Sequence, residues 1–182
     1  MTEQAMSAQE MKEEGLRLFQ EGLYPEAAEL FEEARHAFDS EGDVVEAGEM
    51  LNNLGIVYRM QREWDQATKA LEEAQSAFSA LDDQDREAQV LGNLGGLYAS
   101  RGEREKAITS LRQAADIFAD VGDSQRQGET LLALGVQHWK SGDRKTGLAT
   151  YQIGLETLDD PSAGQQALRG LLNLRTRLLG NR

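Results

Sequence analysis

Cysteine is absent from the chain, which excludes a disulfide framework, a thiolate metal site and a thiol nucleophile. Histidine is nearly absent. His36 and His138 stand far apart and supply no metal-ligating cluster. With two prolines and 6% aromatics, the bulk of the composition is Ala, Glu, Gln, Leu and Arg. These residues lose little rotamer freedom in a helix, so the expectation is an all-α chain. No run approaches the roughly 18 consecutive apolar residues that a membrane span needs. The opening "MTEQAMSAQE" has neither a basic start nor an apolar signal core. A soluble, cytoplasmic protein without a membrane partner is expected.

The 182 residues fit one compact domain or one short repeat array, and 40% hydrophobic content is enough for a core. A formal net charge of −13 argues against nucleic acid, because binding phosphates requires a basic surface. The charge is graded along the chain. Residues 1–50 hold 14 acids against Lys12, Arg17 and Arg35, whereas the segment from Gln165 onward has Arg169, Arg175, Arg177 and Arg182 and no acid.

Sliding the sequence against itself gives a match at a shift of forty: Gly15, Gly55, Gly95 and Gly135. Four residues ahead of each glycine stands Met11, Leu51, Leu91 or Leu131, and three residues after it stands Leu18, Tyr58, Tyr98 or His138. Further on come Ala27, Ala67, Ala107 or Gly147, then Ala34, Ala74, Ala114 or Gly154, and Phe38, Phe78, Phe118 or Leu158 closes the unit. Spacings of three and four mark one face of a helix, so each unit holds two amphipathic helices. "SAQE" at Ser7, "DVVE" at Asp43 and "SAGQ" at Ser162 are helix-start patterns, and Pro25 suits a first turn. A glycine inside a helix costs about 1 kcal/mol against alanine, so four in one register require a compensating close approach of helix axes. Gly95 is expected to be such a contact at the centre of the chain.

The pattern in "LNNLGIVYRMQREWDQATKALEEA" and "LGNLGGLYASRGEREKAITSLRQA" resembles the tetratricopeptide repeat, a family whose usual period is about 34 residues. The longer period resembles the branch found in spindle-orientation and kinesin-light-chain adaptors. What the resemblance implies is a right-handed α-solenoid of four helix-turn-helix hairpins plus a C-terminal capping helix. The units fall at about 8–47, 48–87, 88–127 and 128–161, with a cap at 162–180. A flexible tail at 1–6 precedes a single array over 7–182. In the cap, Arg175 takes the glycine register, and Leu168, Leu171, Leu172 and Leu178 are expected to bury against the fourth unit.

Other chemistry finds little support. "GNLGG" has neither the spacing nor the preceding strand of a dinucleotide fingerprint, and "GVQHWKS" lacks the P-loop glycine before Lys140. Asp82, Asp83 and Asp85 lack the glycine and closing glutamate of an EF-hand. His138 is read as a packed residue. No catalytic residue, metal or cofactor is assigned.

The resemblance implies that the first helix of each unit lines a concave groove for a peptide or partner helix. By register, that lining includes Lys12, then Asn52, Asn53, Ile56 and Arg59, then Gln89, Asn93 and Gly96, and finally Trp139, Lys140 and Asn173. Asn53, Asn93 and Asn173 share one register, and an amide can both donate to and accept from an extended backbone. Gly92, Gly96 and Ala99 leave room for a bulky side chain between Ile56 and Trp139. The family's carboxylate clamp for chaperone C-termini is not reproduced, because Gln89 and Asn93 stand where it carries basic residues. The expected function is a non-enzymatic protein-binding scaffold. Two alternatives remain: a homo-oligomeric assembly module that uses the acidic first unit and the basic cap, or a fragment of a larger regulator.

Overall fold

The computed structural model describes residues 6–179, with side chains as far as 173. Residues 1–5 of the expected tail lie outside the described residues, as do the side chains of Arg175 and Leu178. All described secondary structure is helical: α1 Ala8–Glu21, α2 Tyr24–Glu41, α3 Val44–Gln61, α4 Trp64–Ala80, α5 Gln84–Arg101, α6 Arg104–Val121, α7 Ser124–Ser141, α8 Arg144–Thr157 and α9 Ala163–Leu179. The first helices α3, α5 and α7 begin forty residues apart, and so do the second helices α2, α4, α6 and α8. Each of α3, α5 and α7 starts four residues ahead of the unit boundary expected from the sequence, at 44, 84 and 124. The aspartate before each helix sets its start.

Asp43, Asp83 and Asp123 accept hydrogen bonds from the backbone N–H groups of Glu46, Arg86 and Arg126 at 3.1, 3.1 and 2.8 Å. This satisfies donors that a helix N-terminus leaves open. Ser7 and Glu10 close a reciprocal capping box, and Ser162 with Gln165 does the same at α9. Helix ends are equally regular. The N–H of Gly22 bonds to the Phe19 carbonyl, and that of Leu23 to the Leu18 carbonyl, a Schellman motif that needs a left-handed residue at position 22. The same conformation recurs at 42, 62, 82, 102, 122 and 142. Glycine fills five of these seven places, while Arg62 (φ 64°) and Asp82 (φ 57°) adopt it without that freedom.

The chain forms two compact units that divide within α5, after Leu97. In the first, α1 packs on α2, α2 on α3 and α3 on α4. Phe31, Phe78, Met50, Leu54, Leu71 and Leu97 are its largest fully buried apolar side chains. Burial of each stabilises by roughly 1.5–3 kcal/mol relative to exposure. In the second unit, α6 packs on α7, α7 on α8, and α9 touches α8.

The register glycines are where helices close up. A Cβ on Gly55 would lie 2.7 Å from Leu71 Cδ2 and 3.3 Å from the Ala67 carbonyl oxygen, so α3 and α4 meet at the glycine–alanine pair the spacing implies. A Cβ on Gly135 would lie 2.7 Å from the Tyr151 backbone nitrogen and 2.8 Å from the Gly147 oxygen. A second small-residue register, seven positions earlier, was not read from the sequence: Ala8, Gly48, Ala88 and Gly128. Gly48 faces the Phe78 ring, and Gly128 faces Leu158.

The cap differs from expectation. Leu171 is 65% exposed and Leu168 37%, because α9 docks through a neighbouring face of the helix. On that face Asn173 Oδ1 accepts from Gln152 Nε2 at 3.2 Å, and Arg169 Nη1 reaches the Leu155 carbonyl at 3.5 Å.

Candidate functional site

A small notch opens between α1 and α3 in the first unit. It encloses about 60 Å³ and is lined by Leu16, Phe19, Phe31, Asn53 and Ile56. Its floor depends on Gly15. A Cβ there would lie 2.8 Å from Phe31 Cε1, so the bare backbone lets the Phe31 ring reach through from α2. One wall is braced by the Tyr24 ring, 5.6 Å from that of Phe19 and tilted by 54°. The polar edge is the Asn53 amide, which has no hydrogen-bond partner among the described residues and can both donate and accept.

One turn along α3 from Ile56 stands Arg59. Its Nε is buried and has no hydrogen-bond partner. Burial alone pushes its pKa below the usual arginine value. The guanidinium lies against α5 at Gly96, where a Cβ would stand 3.1 Å from Arg59 Nη1. Lys12 and Arg86 are differently placed. Lys12 pairs with Glu46 at 2.6 Å, and Arg86 is held by Glu49 and Asp83, each at 2.7 Å.

Asn52 departs from expectation. It is 1% exposed and accepts a hydrogen bond from Asn93 Nδ2 at 2.8 Å, so it is covered and ties α3 to α5, while Asn93 is half-buried. Successive helical residues point about 100° apart, and that step puts Asn52 under α5 while Asn53 stays on the notch. Gln89 and Gly96 are half-buried on α5. Trp139, Lys140 and Asn173 belong to the second unit. There Trp139 is 50% exposed with the Arg144 guanidinium 5.5 Å from its ring, Lys140 is exposed, and Asn173 is engaged by Gln152.

A larger hollow of about 200 Å³ that sequence reasoning missed lies on the α2/α4 side, lined by Glu32, Arg35, Leu51, Leu54, Tyr58 and Lys69 among others. Its charges are already matched. Arg35 bonds Glu32 at 2.7 Å and Asp39 at 3.0 Å, and Lys69 faces Glu73 at 3.8 Å. The hydrogen bond from Arg35 holds the Glu32 carboxyl below its usual range. Among the described residues no group of three or more His, Cys, Asp and Glu could hold a metal ion, and no helix is long and apolar enough to cross a membrane.

Helix pairs at a fixed period, closed by glycine against a small residue and capped at each turn, find their counterpart in a family model. That model, the tetratricopeptide repeat, matches residues 11–80 and 46–120. The chain belongs to the tetratricopeptide repeat family. Tetratricopeptide repeats commonly mediate protein–protein interaction. Among solved structures, BtubC (BKLC) from P. vanneervenii superposes with a TM-score of 0.76 at 23% identity, over 82% of this chain. The match takes in 62% of the BtubC chain, so this tetratricopeptide repeat chain spans less than two thirds of that protein. At that identity the likeness is one of fold. No curated protein matches the sequence.

Proposed function

We propose that this chain is a cytoplasmic, non-catalytic scaffold that holds a peptide or a partner helix on its α1/α3 face. The observation that carries the reading is the notch. An apolar recess floored by Phe31 and edged by an unpaired Asn53 amide offers burial for one side chain and hydrogen bonds for the adjoining backbone. The hollow beside α2 and α4 is larger, but its ionic groups satisfy one another.

The test is binding to a peptide array and capture of partners by the full chain, compared with Asn53→Ala and Ile56→Glu variants whose helicity is checked by far-UV circular dichroism. Binding lost in both variants at unchanged helicity supports the reading. Binding that persists in both removes this face from consideration.

A second reading has its own observation. Leu168 and Leu171 are exposed on a helix that carries Arg169, while residues 1–50 are strongly acidic. Head-to-tail contact between copies would cover the leucines and match the charges. Light scattering over a salt and concentration series distinguishes this: a monomer at every condition eliminates self-assembly.

A further inference from the structure

Arginine is the side chain least able to escape a desolvated position by losing its charge, because its pKa lies so far above neutrality. A buried charge is therefore normally matched by a counter-charge and by hydrogen bonds to its five donors. Arg59 breaks that rule. Its Nε is the buried side-chain nitrogen or oxygen without a partner among the described residues. No carboxylate pairs with its guanidinium among the described residues, in contrast to Lys12, which is held by Glu46, and Arg86, which is held by Glu49 and Asp83.

The position is also built. Gly96 leaves 3.1 Å between Arg59 Nη1 and the point where a Cβ would stand, so the guanidinium rests against bare backbone. Asn93, on the same helix as Gly96, is fixed by its hydrogen bond to Asn52. Along α3, Asn53, Ile56 and Arg59 follow one another at intervals of three residues, each a rise of about 4.5 Å. An extended segment repeats its side chains on one face about every 6.6 Å. A side chain seated in the notch beside Ile56 therefore brings the side chain two residues away within reach of a flexible arginine.

We propose that Arg59, berthed on Gly96, is the anchor for a carboxylate of the partner, carried by an aspartate or glutamate two residues from the apolar residue that fills the notch. The proposal rests on the reading that the α1/α3 face binds an extended segment, and adds to it the chemistry of that segment. A net charge of −13 does not oppose the pairing, because charges beyond about 8 Å are largely screened at physiological ionic strength whereas the guanidinium and carboxylate would be in contact. Gly96 acts as a positioning residue, and Arg59 as the contact.

The experiment uses the full chain, labelled with nitrogen-15, and follows the Arg59 Nε–H resonance, identified by its loss in Arg59→Lys. The probes are the tripeptides acetyl-Leu-Ala-Glu-amide and acetyl-Glu-Ala-Leu-amide, each against the same peptide with glutamine in place of glutamate. A saturable shift with a glutamate peptide, and affinity about tenfold weaker for its glutamine counterpart, is the expected result. In Arg59→Gln that discrimination disappears while weak binding of both peptides remains, and in Gly96→Ala it shrinks because the guanidinium is displaced. Equal affinity for the glutamate and glutamine peptides, or discrimination that survives Arg59→Gln, overturns the proposal and leaves the groove reading to stand on its array test. Absence of binding by all four peptides at tens of millimolar likewise overturns it. Should Arg59→Gln fail to fold, the comparison of glutamate with glutamine on the unaltered chain still decides.

Discussion

Gly135 and Gly147 meet backbone to backbone. A Cβ on Gly147 would lie 2.8 Å from the Gly135 carbonyl oxygen and 2.7 Å from the Trp139 nitrogen, and one on Gly154 would lie 2.9 Å from the Gly128 oxygen. Where the second hairpin sets a glycine on α3 against an alanine on α4, the fourth sets glycine against glycine, twice. The absence of alanine at 147 and 154 thus reflects an interface drawn closer.

Gly147→Ala is expected to destabilise the protein although alanine is the better helix former. Replacement gains about 1 kcal/mol in propensity. It forces rigid backbone apart, at about 1–3 kcal/mol for overpacking in general and the upper part of that range here because no side chain can swing away. The melting temperature should fall by about 2–4 °C for each net kcal/mol. Gly92→Ala is the control. Nothing lies within 4 Å of its added Cβ, so the same measurement should show a gain of up to about 1 kcal/mol.

Arg62 occupies a left-handed position that glycine fills at 22, 102 and 142. A non-glycine residue there bears about 1 kcal/mol of steric strain. Arg62→Gly should therefore raise stability in urea denaturation by about 0.5–1 kcal/mol, since a glycine at this helix end relieves more strain than it adds chain entropy. A midpoint that falls instead would show that Arg62 makes a compensating contact.

The two neighbouring asparagines should behave oppositely. Asn93→Ala leaves the buried Asn52 oxygen without its donor, with an expected loss of about 1–3 kcal/mol in stability. Asn53→Ala breaks no hydrogen bond among the described residues and should melt within about 0.5 kcal/mol of the unaltered chain. Thermal denaturation of the two variants side by side separates an asparagine that holds helices together from one available to a ligand.

Acid should loosen the helix starts. The Arg126 backbone N–H, then its side chain, holds the Asp123 carboxyl below the ordinary range. Thr146 does so for Asp143, through its side chain and then its backbone, and the Ser7 backbone does so for Glu10. A carboxylate whose pKa is lowered by folding stabilises at every pH above its unfolded value, about 4, and loses that contribution as pH falls through the lower folded value. Melting temperature is expected to be level from pH 7 to about 5 and to decline below about 4. Asp123→Asn keeps a capping side chain but does not titrate, so its profile should be shallower in the acid range.

Periodicity carried most of the fold. Gly55 and Gly135 stand at helix contacts because a glycine repeated inside a helix is unfavourable unless something approaches it. Ser7, Asp43 and Ser162 cap because their partners lie only three residues away. What escaped was non-local. Asn52 and Asn53 are adjacent in the chain, and only the arrival of α5 decides which one is covered. Leu171 and Arg169 lie on different faces of one helix, and nothing in the order of residues says which of those faces meets α8. Arg59 falls in the groove register, but its want of a counter-charge depends on what α5 brings beside it, which is the bare backbone of Gly96. Arg62 hides a left-handed turn because arginine does not advertise one.

The left-handed turns at 22, 42, 62, 82, 102, 122 and 142 act as a ruler along the backbone. Adding one residue to any helix would swing the following turn by about 100° and slip every downstream contact out of phase. Length can therefore vary in this architecture by gain or loss of whole hairpins, forty residues at a stroke, and single insertions are confined to the ends.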